Sequence, residues 1–245
     1  MSYIKLIEEI LNQLVPIPQG TFLMGSDKRN TLGFSKEYPQ HLVDMPAFYM
    51  SKYLITQKQW KVISQLPSID IELDCNPRYR REDNYPIENI NWYEALEFCN
   101  RISVITGKNI MLPSESQWEY CCKAGTNTTY SFGDNITPEL ANYNRHKENV
   151  TPRIKPIGSY PSNPWGLYDM HGNINEWCLD DWHINYENAP TDGSPWLYEK
   201  NPYNSKILRG GNYYSTHRSC TSTSRYLLST YRKTIGVGFR ICYNP

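Results

Sequence analysis

Between Thr126 and Lys200 the chain shows almost no helical or strand periodicity and is rich in Asn, Pro, Gly, Trp and Tyr. Unstructured connections longer than about 12–15 residues are uncommon inside compact domains. So long an irregular stretch can be ordered only if aromatic anchors or a metal pin it. The composition supplies the anchors: seven Trp and twenty Tyr in 245 residues. Such side chains bury large areas while their polar tips still need partners.

Regular structure is predicted around this stretch. Apolar residues at helical spacing from Ile4 to Leu14 predict a short amphipathic N-terminal helix over residues 1–14. Val15–Gly25 and Phe48–Ile55 read as strands. Three helices are announced by capping boxes, in which cap and third residue exchange side-chain hydrogen bonds. Thr56 with Gln59 opens a helix over 56–66, Asn91 with Glu94 one over 91–104, and Ser114 with Gln117 one over 114–124. Gly107 and Gly125 end the last two. In the third helix, the adjacent Cys121 and Cys122 cannot share a direction, so one faces the core. No repeat or linker appears, and residues 15–245 read as one domain.

The bulk charge narrows the function. Lys plus Arg and Asp plus Glu each number 25, so nothing global favours nucleic acid or a membrane surface. No apolar run is long enough to span a bilayer. Glu8 and Glu9 interrupt the first apolar stretch, which excludes an ordinary secretory signal peptide. The seven Cys form no CxxC pair, so a zinc ribbon is disfavoured and mostly buried, reduced thiols in a cytoplasmic protein are expected.

Near the C-terminus, Arg209-Gly210-Gly211 and Gly236-Val237-Gly238-Phe239-Arg240 bracket a tract of unusual composition. From Tyr213 to Ile235 it holds five Ser, five Thr and four Tyr, with cations and no carboxylate. It lacks both helical and strand periodicity, and by composition alone it would be an exposed loop. Yet Tyr with small hydroxyl residues is also the chemistry of antibody-like binding loops. A binding surface held between two anchors is therefore expected. Its contacts would be Tyr213, Tyr214, Ser215, His217 and Ser219, then Tyr226, Leu228, Ser229, Tyr231 and Arg232. Leu227 and Cys220 would point inward. Arg218, Arg225, Arg232 and Lys233 would make the surface basic and favour an acidic ligand.

Six phrases in order carry a family resemblance: PIPQGTFLMGS, FYMSKYLITQKQW, YPIENINWYEALEFCNRIS, LPSESQWEYCCKAGT, NPWGLYDMHGNINEWCLDDW and RGGN…GVGFRICYNP. The chain resembles the formylglycine-generating-enzyme/sulfatase-modifying superfamily over nearly its whole length after residue 15. The resemblance implies an α+β, C-type-lectin-like fold with two or three helices and short twisted sheets. It accounts for order in residues 126–200 without helices or strands. It also implies Ca²⁺ in the GLYDMHGNINEW loop, with side-chain ligands Asp169 and Glu176 and carbonyls from Gly172 and Ile174. Oxygen-rich loops suit Ca²⁺, which takes six to eight ligands. A hydrogen-bonded, metal-free Asx loop fits the same residues.

The superfamily's oxidases hold copper with two cysteines near the C-terminus. On this chain Ser215 falls at the first of those positions and Cys220 at the second. One thiol cannot make the two-sulfur site that Cu(I) favours, so neither copper nor a catalytic residue is assigned. A branch using iron bound by three His finds no match, because His41, His146, His171, His183 and His217 are scattered. A third branch resembles this chain better, in a tract that ends on an I-G-F-R-like phrase as GVGFR does here: the variable proteins of diversity-generating retroelements, bacterial proteins whose C-terminal repeat is rewritten at adenines. Asn codons of the form AAY then become NNY codons, and within 213–235 only Lys233 has no NNY codon. The resemblance thus implies a non-catalytic ligand-binding protein with a diversified tract at 212–235 and most naturally a protein ligand. The alternative is a formylglycine-generating-type oxidase, or related sulfur-chemistry enzyme, with an altered site.

Overall fold

A computed structural model describes residues 3–27, 32–77, 82–145 and 150–245. Met1, Ser2 and His146 lie outside these. Among the described residues the α-helices are α1 (Tyr3–Leu11), α2 (Gln57–Ile63), α3 (Trp92–Thr106) and α4 (Glu115–Lys123). The strands are β1 (Leu14–Ile17), β2 (Gly20–Met24), β3 (His41–Met45), β4 (Phe48–Ser51) and β5 (Ile110–Met111). They continue with β6 (Asn175–Asp181), β7 (Ser205–Arg209), β8 (Arg225–Ser229), β9 (Val237–Gly238) and β10 (Cys242–Tyr243).

All three capping boxes form. Thr56 N donates to Gln59 Oε1 at 2.8 Å while Gln59 N donates to Thr56 Oγ1 at 3.2 Å. Asn91 with Glu94 and Ser114 with Gln117 repeat the exchange. Gly107 ends α3 in the left-handed conformation, at φ 66°. After Ile63, α2 tightens: Gln65 N and Leu66 N donate three residues back, to Val62 O and Ile63 O. Pro67 prevents continuation, so this helix stops short of the expected residue 66. The α4 helix is buried on every side, and Cys121 and Cys122 are both at 0% exposure. The expectation that only one of them faces the core fails because α4 is enclosed all round.

The strands make three sheets. The first, in order β1-β4-β10-β5, is antiparallel throughout, and β2 with β3 form a separate pair. The third, in order β8-β7-β6-β9, carries the C-terminal tract on its edge. Here β9 runs parallel to β6, with Asn175 opposite Val237 and Glu176 opposite Gly238.

Two of these strands contradict the reading from sequence. Residues 126–200 do contain a strand, β6, and within the tract β8 is a second. The β6 sequence NEWCLDD lacks apolar alternation, yet six of its seven residues are buried. Its carboxylates are offset by partners. Glu176 pairs with Arg240 at 2.6 Å, Asp181 with Lys206 at 2.7 Å, and Asp180 accepts from Glu115 N and Trp196 N. Buried charges persist only when so paired and hydrogen-bonded, and a hydropathy pattern cannot register that.

One core joins α1, α2 and α3 to the C-terminal strands. The Trp60 ring stacks on Phe98, with centroids 5.7 Å apart, and Phe239 meets both edge-on. Phe239 belongs to the GVGFR phrase, so the segment ending the tract is anchored in the centre of this cluster. Truncating such an aromatic typically costs about 3–5 kcal/mol. A second core packs α4 between the β1–β4 region and β6–β7, and a smaller one holds Leu54, Ile174 and Tyr213.

Candidate ligand-binding surface

Both ends of the tract are fixed by backbone that only glycine serves well. Gly211 sits at φ 72°, and a Cβ there would lie 2.7 Å from Cys220 Sγ and 2.8 Å from Ser219 O. Gly236, at φ 77°, would drive a Cβ to 2.6 Å from Asn212 Nδ2. Asn212 Nδ2 donates to Gly236 O at 3.2 Å, and Asn212 Oδ1 accepts from Tyr214 N at 2.9 Å. Ser215 Oγ accepts from Asn212 N at 3.0 Å.

Between these ends the tract divides into exposed and buried parts. Tyr214 and His217 are exposed, and Ser215 and Ser219 are half-buried. Thr221 to Arg225 are buried, then Leu227, Tyr231, Arg232 and Lys233 are exposed. Tyr226, Leu228 and Ser229 are half-buried.

Four sequence expectations change here. Tyr213 is buried at 3% because its ring packs with Leu54 and Ile174, and its hydroxyl reaches buried Glu88. Leu227 and Leu228 exchange faces: Leu227 is 47% exposed, while Leu228 packs on the main core. Arg225 does not contribute to a basic surface. It is at 0% exposure, bonded to Glu115 at 2.8 and 2.6 Å and to the carbonyls of Lys36 and His183. Two of the remaining tract cations are engaged as well. Lys233 Nζ lies 2.6 Å from Glu94 Oε1, and Arg218 Nε donates to Leu32 O.

The buried middle of the tract completes a charged frame. Arg209 donates to Ser222 O, Ser224 O and Glu119 Oε2. Thr223 Oγ1 and Ser26 Oγ both donate to Glu37 Oε2. Burial raises the Glu37 carboxyl against these bonds. Burial would also raise Glu119, but Lys123 and Arg209 outweigh it and hold that carboxylate low.

Cys220 is sealed beneath Gly211. Burial, with the neighbouring Cys122 thiol, pushes its pKa up to about 12. Cys122 is likewise raised to about 12 by burial. His171 joins the two segments: its Nε2 accepts from Ser131 N at 3.0 Å, so the Nδ1 proton is donated to Cys220 O at 2.9 Å. Burial lowers His171 to about 4, so the ring is neutral near pH 7.

The residues expected to hold calcium do not assemble as a set. Both Glu176 oxygens are taken by Arg240, at 2.6 and 3.0 Å. The Ile174 side chain is core, and a Cβ on Gly172 would strike Asn142 O, so both residues lie on tightly packed backbone. Asp169 Oδ2 accepts from Gly158 N at 2.9 Å, while Oδ1 is buried without a hydrogen-bond partner beside a cavity of about 20 Å³. Among the described residues no group of three His, Cys, Asp or Glu side chains converges. Ca²⁺ takes six to eight oxygens, and of the two expected side-chain ligands Glu176 is held by Arg240 while Asp169 keeps one oxygen without a hydrogen-bond partner.

Two exposed tract residues, Tyr214 and His217, line open cavities. Tyr213 and Tyr214 line one of about 470 Å³ together with Gln57, Glu82, Arg153 and Lys155. His217 lines another of about 340 Å³ with Tyr130, Asp134 and Tyr143. Sequence reasoning missed the contribution of residues 152–155, which carry no periodic or motif signal. Among the described residues no helix is long and apolar enough to cross a membrane.

Comparison with known proteins shows the family and the fold. The model of the sulfatase-modifying factor enzyme 1-like domain matches residues 6–245. The structure of PvdO from Pseudomonas aeruginosa superposes with a TM-score of 0.85 at 27% identity, over 95% of this chain and 94% of that one. The Treponema denticola variable protein 1 superposes with a TM-score of 0.76 at 20% identity, over 95% of each, a likeness of fold. The formylglycine-generating enzyme of Mycobacterium tuberculosis is 24% identical over 96% of this chain and 99% of its own length. The chain spans 33% of the serine/threonine-protein kinase pkn1 of Chlamydia caviae, to which it is 27% identical.

Proposed function

We propose, from the premise that this chain belongs to the family of sulfatase-modifying factor enzyme 1-like domains, that it is a non-catalytic ligand-binding protein. It presents a diversified surface, as in a variable protein of a diversity-generating retroelement, and its ligand is a protein. One observation supports this reading above all: exposed Tyr214 and His217 line two open cavities, on a loop whose ends and middle are buried. A rigid frame under an adaptable Tyr, Ser and His surface suits selective binding, because little ordering entropy is lost on contact. The thiol chemistry favours the same reading. Ser215 hydrogen-bonds within its own turn, and Cys220 is buried and protonated near neutral pH.

The coding DNA tests the reading directly. A near-identical repeat near the gene should differ from it at adenines of the repeat, within the codons of the exposed positions 214–219 and 226–235. The codons for the buried frame, Thr221 to Arg225, should be invariant. Differences spread evenly over all three codon positions, or the absence of any such repeat, would overturn it.

A further inference from the structure

The sequence places the cations for an acidic ligand in the tract, and the fold withdraws most of them. Arg225 is buried on Glu115, Lys233 is paired with Glu94, and Arg218 is bonded to Leu32 O beneath the Phe34 ring. Two other cations stand on the same face. Arg153 and Lys155 are exposed, and among the described residues their charged ends meet no carboxylate and no hydrogen-bond acceptor.

Their backbone is held firmly although their side chains are open. Lys155 N donates to Asn173 Oδ1 at 2.9 Å, and Asn173 Nδ2 donates back to Lys155 O at 3.1 Å. Asn142 Nδ2 donates to Arg153 O at 2.9 Å. Asn173 itself is at 0% exposure. The segment is therefore a fixed wall between two open cavities, of about 470 and 500 Å³, which both include Pro152, Arg153 and Lys155. On one side stand Tyr213 and Tyr214. The other side adds Arg145, Tyr143 and Tyr160, with no carboxylate among its described lining residues.

We infer that this wall is a docking site for an acidic peptide segment of the protein ligand. The inference rests on the proposed ligand-binding function and names the chemistry of the partner. On the Tyr160 side a ligand carboxylate would meet a cation with no carboxylate among the described lining residues, while on the Tyr214 side Glu82 lines the same cavity and would favour one cation over the other. Two adjoining cavities suit an extended chain better than one small anion. Complementary charge of this kind chiefly raises the association rate and selects the partner.

The test uses a fluorescein-labelled oligo-glutamate peptide, with anisotropy read at about 20 mM salt, where the screening length is about 20 Å. The variant Arg153→Ala/Lys155→Ala should weaken binding by about tenfold or more. Its melting temperature should not move, because both side chains are exposed and unpaired. The variant Lys5→Ala/Lys200→Ala removes the same charge from exposed positions elsewhere and should alter binding less than about twofold. Equal weakening in the two variants would mean that only net charge is sensed, and would overturn the site. Tighter binding of oligo-thymidylate or tripolyphosphate than of the peptide would overturn the ligand class. Loss in Tyr214→Ala/His217→Ala with Arg153→Ala/Lys155→Ala unaffected would overturn the wall while leaving the ligand-binding reading intact.

Discussion

Asn212 and Gly236 tie the two ends of the C-terminal tract together. The Asn212 amide donates to Gly236 O at 3.2 Å, and any Cβ on Gly236 would strike that same amide at 2.6 Å. The tract is a closed loop because one side chain spans its neck, and the neck is as narrow as glycine allows.

Gly236→Ala should therefore destabilise the protein by about 2–3 kcal/mol, through the left-handed φ and the clash together. Asn212→Ala should cost about 1–3 kcal/mol in lost hydrogen bonds. The double variant should cost less than the sum, by about 1 kcal/mol, because removing the amide relieves the clash. Urea denaturation of the four proteins gives the cycle. Strict additivity would mean that the two residues do not meet.

Tract residues should separate sharply by burial. Arg225→Ala removes the two-bonded arginine partner of buried Glu115, leaving it Tyr186 Oη and the longer contact to Arg209, and should cost about 3 kcal/mol or more. Arg232→Ala, exposed seven residues later, should cost within about 0.5 kcal/mol. Chemical denaturation distinguishes them. Comparable small effects would mean that the tract is uniformly exposed, as its composition alone suggests.

That composition was legible, and its partition was not. The capping boxes at Thr56, Asn91 and Ser114 are local, so sequence placed three helices within a few residues. The anchors Gly211, Gly236 and Phe239 were readable as motif residues. Arg225 and Glu176 were not readable as core, because each is buried by a partner more than sixty residues away. Leu227 and Leu228 exchanged faces for a related reason. A one-residue change of register in a strand swaps its sides, and only the pairing of Leu228 with Lys206 and Leu227 with Ile207 fixes it. The cation wall at Arg153 and Lys155 has no sequence signature at all. It exists because Asn173 and Asn142 hold its backbone.

Asp169 should make stability fall with rising pH. Burial lifts its pKa from 3.8 to about 6 in the folded state. The folded protein therefore holds this proton more tightly than the unfolded chain does. The contribution is fully present below the unfolded value and is lost as pH rises through about 6. Its full size is about 3 kcal/mol as an upper bound. Asp169→Asn keeps an acceptor for Gly158 N, and Asn adopts the φ of 59° readily. The variant should melt higher than the parent at pH 8 and much closer to it at pH 4. A difference independent of pH would remove the titration from Asp169.

The same residue bears on metal binding. With Glu176 held by Arg240, calcium should find no second free carboxylate here. Melting temperatures in millimolar calcium and in chelator should agree. A calcium-dependent rise that Asp169→Ala abolishes would show that the loop rearranges to release Glu176.

Thiol reactivity bears on the enzymatic alternative. Cys99, Cys121, Cys122, Cys178, Cys220 and Cys242 are buried, and only Cys75 is partly exposed. With pKa values pushed up to about 12, Cys122 and Cys220 are thiolate at pH 8 to about one part in ten thousand. Iodoacetamide on the native protein should therefore label Cys75 first, with the other six reacting only on unfolding, as peptide mass spectrometry would show. An oxidase that works through thiolate-bound copper needs at least one of these sulfurs available. Incubation with copper and a cysteine-containing sulfatase peptide should accordingly yield no aldehyde above background. Rapid native labelling of Cys220, or stoichiometric Cu(I) binding lost in both Cys122→Ser and Cys220→Ser, would reverse the argument. The pair under Gly211 would then be an active centre.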